Sequence, residues 1–164
     1  THPRSSAASD VYKRQPRLAE VTALAAGYIA DTQPLINIEL KGKGTAAPTA
    51  RFLRTHPGLA VLVSSFNHEE LAAFRETDKT TPVAPLFERA RGNMLETATQ
   101  LGASCINMST RMAKPSLIEQ CREAEIPVLV YTVNQFHETQ RLKAMGVAGV
   151  FTDRPDNLIP VIAR

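Results

Sequence analysis

The chain has 164 residues, enough for one domain with a real core, and carries a formal charge of only +3. No apolar run reaches about 18 residues, which argues against a membrane-spanning segment. Two cysteines, Cys105 and Cys121, are too few for a disulfide scaffold and read as buried thiols in a reducing, cytoplasmic setting.

Residues 5–15 read SSAASDVYKRQ, with no apolar period and no turn logic. The stretch is identified as the translation of a transposase-type sequencing adapter. Residues 1–15 are therefore set apart from the fold as an artefactual or disordered leader, and residues 16–164 are taken as the domain. Arg4, Lys13 and Arg14 against Asp10 account for +2 of the charge and leave +1 for the rest. The sequence pI of 9.1 is then no sign of a nucleic-acid partner.

From Arg17 the pattern is helical, with Leu18, Val21, Leu24, Ala25 and Tyr28 at spacings of three and four, until a break at 31–34. Residues 35–41, LINIELK, read as a strand. Strand faces alternate, so Ile36, Ile38 and Leu40 share one face, and Asn37, Glu39 and Lys41 share the other. A strand covered by helices is expected to be apolar on both faces, and this one carries a carboxylate and an ammonium at its C-terminal end. A helix over 46–56 stops at Pro57-Gly58, and a strand over 60–66 follows. Asn67 and Glu70 fit a capping box, which leaves His68 solvated in the first turn of a helix ending near Asp78. A short strand at 82–87 precedes a helix marked by Met94, Leu95, Ala98 and Leu101 and ended by Gly102 at C′. Strand 105–108, helix 115–124, strand 128–133 and helix 136–145 come next, the last ended by Gly146. A strand at 150–152 then leads to a short helix with Pro155 in its first turn and Asp153 as the expected cap.

Six strands, each followed by a helix, imply a parallel α/β sheet with right-handed crossovers. Alternation alone leaves doubly wound sheet and barrel both open. There is no GxGxxG, Walker loop or CxxC.

Four stretches in order carry a resemblance: the Glu-x-Lys strand at 35–41, VLVSSFNHEEL at 61–71, VLVYTVN at 128–134 and GVAGVFTDRP at 146–155. Together they resemble the glycerophosphodiester phosphodiesterases. The resemblance implies a partial (β/α)₈ TIM barrel of the PLC-like phosphodiesterase type, strands three to eight, with the first two strands absent. A complete barrel of this kind takes about 250 residues. It further implies a metal-dependent hydrolase that converts glycerophosphodiesters to glycerol 3-phosphate and an alcohol.

An inward-facing carboxylate costs several kcal/mol to bury unless it is paired or bound to metal, so Glu39 is a metal ligand, half of an ion pair with Lys41, or simply exposed at the strand end. The resemblance implies the ligand, for Ca²⁺ or Mg²⁺, and places Lys41 on a nonbridging phosphate oxygen. It puts Tyr131 in the substrate pocket, where many members have Trp. Ser65, Phe66 and Asn134 match the family pattern with packing or site-mouth roles, and His56 and His137 read as solvated. The family's two catalytic histidines and its Glu-x-Asp metal pair have no match here. The expectation is that both histidines lie upstream and that this chain alone is inactive. Two other readings stand beside it: a noncatalytic phosphate- or metabolite-binding barrel, and a phospholipase-like relative acting on another phosphodiester.

Overall fold

A computed structural model describes residues 15–26, 35–89 and 92–162. The leader at 1–14, Tyr28 and the predicted break at 31–34 lie outside the described residues.

The chain divides into two units. The first, residues 1–36 with 58–60, contains helix α1 (Leu18–Ala26). The Glu20 carboxylate accepts from the Arg17 N–H at 2.6 Å and closes the first turn of α1. Thr22 of α1 is buried, whereas Val21 and Leu24, which belong to the helical pattern, are 40% and 67% exposed. In the same unit the Ile36 N–H donates to the Ala60 carbonyl at 2.8 Å.

The second unit, residues 37–57 and 61–164, holds the alternating elements. In chain order these are β1 (Ile36–Glu39, its first residue in the other unit), α2 (Ala46–Arg54), β2 (Val61–Ser65), α3 (His68–Thr77), β3 (Val83–Phe87), α4 (Met94–Leu101), β4 (Ile106–Ser109), α5 (Pro115–Glu123), β5 (Val128–Tyr131), α6 (Phe136–Ala144), β6 (Gly149–Val150) and α7 (Pro155–Ile162). The strands lie side by side in chain order, β1 to β6. Pairing from β2 to β6 is parallel, with registers such as Ser64↔Ala84, Asn107↔Leu129 and Val130↔Val150. A doubly wound sheet reverses its strand order at a switch point, and a barrel does not. This order has no reversal, which resolves the ambiguity left by alternation in favour of the barrel.

The two sheet faces bury different things. Ile106 and Met108 on β4 and Val128 and Val130 on β5 pack on the helix side, with Cys121 and Leu142. Leu62, Ala84 and Cys105 cluster on the other face with Leu129. Both cysteines are buried free thiols, as expected.

Several boundaries and caps differ from the sequence reading. β1 spans Ile36–Glu39 rather than 35–41, although the Leu40 N–H still donates to the Ser64 carbonyl at 2.7 Å. β6 begins at Gly149 rather than at 150. A Cβ at Gly149 would sit 2.9 Å from a Leu129 methyl, so glycine permits the close pairing and does not mark a turn there. The hydrogen bond from Phe151 N–H to Val130 O, 2.8 Å, continues this ladder. The capping box at α3 is half made: the Asn67 side chain accepts from the Glu69 N–H at 3.1 Å, but Glu70 does not reach back. Asn93 caps α4, accepting from the Glu96 N–H at 3.2 Å. Gly102 ends α4 in the left-handed region at φ 57°, as the C′ reading requires. Among the described residues no helix is long and apolar enough to cross a membrane.

Candidate active site

The C-terminal ends of β1, β2, β3 and β5 converge on a cleft of about 200 Å³ lined by Asn37, Glu39, Phe66, Leu86, Tyr131 and Phe151. Period-two alternation puts Asn37 and Glu39 on one face of β1, and the cleft shows both on the side of Tyr131. The Glu39 side chain is 29% exposed. Lys41 sits at the rim, 77% exposed, with its Nζ 3.8 Å from Glu39 Oε2. At that distance and exposure the pair holds the two charges together only weakly.

Tyr131 ends β5, opposite Ser109 of β4, and the peptide that follows it is cis. Its hydroxyl is buried without a hydrogen-bond partner among the described residues. Burial pushes its pKa well above the ordinary tyrosine value, and the carboxylates of Glu88 and Glu39 push it the same way. The Phe66 ring meets it edge-on, with centroids 5.8 Å apart. The structure thus brings Glu39 and Tyr131 into one cleft, with Lys41 paired to Glu39 from outside.

The strand ends around the cleft are laced together by side chains. Ser65 Oγ donates to the Leu40 carbonyl at 2.6 Å and accepts from the Asn67 N–H at 3.0 Å. Ser109 Oγ donates to the Glu88 carbonyl at 3.0 Å. The Asn134 carbonyl oxygen accepts from the Thr152 hydroxyl at 3.0 Å and the Asp153 N–H at 2.9 Å, and its amide donates to the Asp153 carboxylate at 3.0 Å. Asp153 is therefore held by Asn134, and this replaces its predicted role as a helix cap.

Glu70 acts across elements, which the local spacing could not show. Only 9% exposed, it accepts from the Gly44 N–H at 2.6 Å and the Ala46 N–H at 3.0 Å. Thr45, at the N-cap of α2, makes no side-chain cap bond, so Glu70 supplies the acceptor that this helix start lacks. The Gly44 N–H first and the Ala46 N–H next hold the Glu70 carboxyl below the usual range, against the opposing effect of burial. The loop so clamped leads directly from Lys41.

Two of the three histidines, His68 and His56, are half-buried rather than solvated as read from the sequence. His68 Nε2 lies 3.1 Å from the Leu86 carbonyl, and its ring lies 4.8 Å from that of Phe87. His56 stacks on Phe52 at 4.0 Å, and its Nδ1 lies 2.9 Å from the Phe52 carbonyl. His137 is exposed. None of these three lines the Glu39 cleft.

A hard divalent cation takes about six oxygen ligands. Among the described residues no three of His, Cys, Asp and Glu gather closely enough to hold a metal, and Glu39 is the carboxylate that lines the cleft. These residues alone do not fit a complete metal site.

Parallel βα units laid down in order, with a carboxylate and an aromatic meeting at the C-terminal strand ends, define an enzyme-type (β/α) barrel mouth. Residues 36–157 match the glycerophosphoryl diester phosphodiesterase family, and the chain belongs to that family. A glycerophosphodiester phosphodiesterase of Caldanaerobacter subterraneus subsp. tengcongensis is 25% identical over 158 residues, covering 93% of this chain and 63% of that protein. The chain thus spans less than two thirds of that relative's length. A phosphodiesterase of Oleispira antarctica, solved in complex with the product sn-glycerol-3-phosphate, superposes with a TM-score of 0.82 at 22% identity, over 91% of this chain and 62% of that one. A glycerophosphodiester phosphodiesterase from Agrobacterium tumefaciens gives 0.68 at 21% identity, over 86% and 59%. The six strands are therefore part of a (β/α)₈ barrel of the kind found in these neighbours.

Proposed function

We propose that this chain carries the glycerophosphate-holding side of a glycerophosphodiester phosphodiesterase site, whose whole reaction yields glycerol 3-phosphate and an alcohol. The observation that carries the reading is the cleft that joins Glu39 at the end of β1 to Tyr131 at the end of β5, with the Lys41 ammonium at its rim. Within family membership, Glu39 would give one oxygen to a divalent cation, Ca²⁺ or Mg²⁺. Lys41 would neutralise a nonbridging phosphate oxygen as charge moves toward the leaving group. Tyr131 and Phe66 form the cleft wall against the glycerol carbons. The acid and base are assigned to histidines upstream of these residues, since the described histidines do not line the cleft.

Titration with sn-glycerol 3-phosphate in Ca²⁺ or Mg²⁺, followed by NMR, tests these roles. Glu39→Gln should weaken the metal-dependent part of binding about tenfold or more, because hydrogen bonds and ligation by charged groups are worth about 1.5–3 kcal/mol. Lys41→Met should weaken phosphate binding and leave metal affinity close to wild type. Equal losses of both affinities in both variants would show that the two residues act only as an ion pair.

A further inference from the structure

We propose that Ser65 and Glu70, which flank the turn from β2 into α3, position the Lys41 ammonium for phosphate by holding the backbone on both sides of it. The inference rests on the phosphate role of Lys41 given above and deepens it. Neither residue touches phosphate, and both act through Lys41.

The Lys41 side chain is 77% exposed, and its contact with Glu39 is 3.8 Å long. An exposed lysine samples many rotamers, and fixing it on a ligand costs conformational entropy. What the fold can set in advance is the position of its root.

Before Lys41, Leu40 is 3% exposed. Its N–H donates to the Ser64 carbonyl at 2.7 Å, and its carbonyl accepts from Ser65 Oγ at 2.6 Å. After Lys41, the Gly42 carbonyl accepts from the Thr45 hydroxyl at 2.7 Å, which closes the turn at 42–45. Glu70 then fastens that turn to α3, with one carboxylate oxygen on the Gly44 N–H and the other on the Ala46 N–H. A turn with glycine at 42 and 44 is entropically costly to order, and these bonds order it before a ligand arrives.

Both clamps come from one well-held stretch. Ser65 is fully buried, and its Oγ also accepts from the Asn67 N–H at 3.0 Å. The Glu70 N–H donates to the Asn67 carbonyl at 3.1 Å, and Leu71 beside it is fully buried.

Glu70 also decides where an anion can go. The first N–H groups of a helix lack helical partners and attract phosphate. At the start of α2 the Glu70 carboxylate already takes that place. An anion at this part of the rim is left to Lys41.

The 164-residue chain is titrated with sn-glycerol 3-phosphate, and with inorganic phosphate as a second probe, by ligand-observed NMR without added metal. Amide spectra check that each variant is folded. Glu70→Ala and Ser65→Ala should each weaken binding of glycerol 3-phosphate about fivefold or more, the cost of ordering a single backbone residue on binding. Thr45→Val, which leaves the Glu70 and Ser65 bonds in place, should weaken it about two- to threefold and carries the comparison if either alanine variant fails to fold. Made in a Lys41→Met background, the same changes should alter affinity by less than about twofold, because non-additivity marks residues that act through one another. Equal losses in both backgrounds would assign Ser65 and Glu70 to the fold alone and overturn the positioning role. So would wild-type affinity in all three variants while Lys41→Met is weakened, an outcome that leaves the proposed function standing. Tighter binding of either probe by Glu70→Ala would mean that the carboxylate only keeps phosphate off α2, which overturns the inference as well. Wild-type affinity in Lys41→Met overturns the phosphate role of Lys41 and the positioning with it.

Discussion

Glu70 and Asp78 are carboxylates that serve the backbone, and both make the fold sensitive to acid. Asp78 accepts from the N–H groups of Thr80 and Thr81 at 2.9 Å each and from the Thr81 hydroxyl at 2.6 Å. Burial alone would raise its pKa, but these donors outweigh it and bring it down to about 2. A carboxyl whose folded pKa lies below its unfolded value takes up its proton first in the unfolded chain. Its stabilisation is therefore complete above the unfolded value and is lost as pH falls through the folded one. For Asp78 that window runs from 3.8 down to about 2, and for Glu70 it opens below 4.5. Melting temperature measured from pH 6 to pH 2 should fall for wild type through both windows. Glu70→Ala should melt lower than wild type at pH 7, and the gap should close as pH falls through the Glu70 window. Glu70→Gln, which keeps one acceptor, should lie between the two at neutral pH. A gap that stays constant with pH would show that the Glu70 charge contributes nothing to holding the loop at Gly44 and Ala46.

Where the chain repeats strand and helix, hydrophobic period and capping residues set the elements, and these were legible: Gly102 at C′, Asn67 at N-cap and the buried strands β2 to β4 stand, within a residue, where the sequence places them, whereas β5 stops at Tyr131 rather than 133 and is buried on alternate residues. What was not legible depended on partners distant in sequence. Glu70 has the spacing of a local box, yet its acceptors serve residues 24 and 26 positions earlier. Gly149 looks like a loop residue until Leu129 is known to lie against it. Glu39 and Tyr131 were both singled out, but only pairing of the strands shows that they share a cleft. Gly149→Ala should lower stability by about 1–3 kcal/mol, the usual range for overpacking, as Leu129 is forced from its place. Leu142→Ala, at a fully buried position on α6, should cost about 2–5 kcal/mol. Urea denaturation measures both, and a Gly149→Ala loss under about 0.5 kcal/mol would mean that Leu129 finds another rotamer without strain.

For the molecule as a whole, the proposed function predicts no turnover of glycerophosphodiesters by this chain with Ca²⁺ or Mg²⁺, because no described histidine lines the cleft. Turnover that Glu39→Gln abolishes would instead place the acid and base within the chain, with His68 and His137 the first residues to test. Removal of residues 1–15 should leave the melting temperature unchanged, since that stretch has no apolar period to bury; a clear fall would make it part of the fold. The side-chain lacing at Ser65, Ser109 and Asn134 has a consequence for variation among relatives. Each tie fastens the end of one strand to the end of its neighbour before the intervening loop departs. A loop anchored this way can lengthen, shorten or change its residues while its two roots keep their spacing. Substrate range can then drift through loop exchange without moving Glu39 or Tyr131, and grafting a relative's loop between these ties is the engineering route that the barrel rim leaves open.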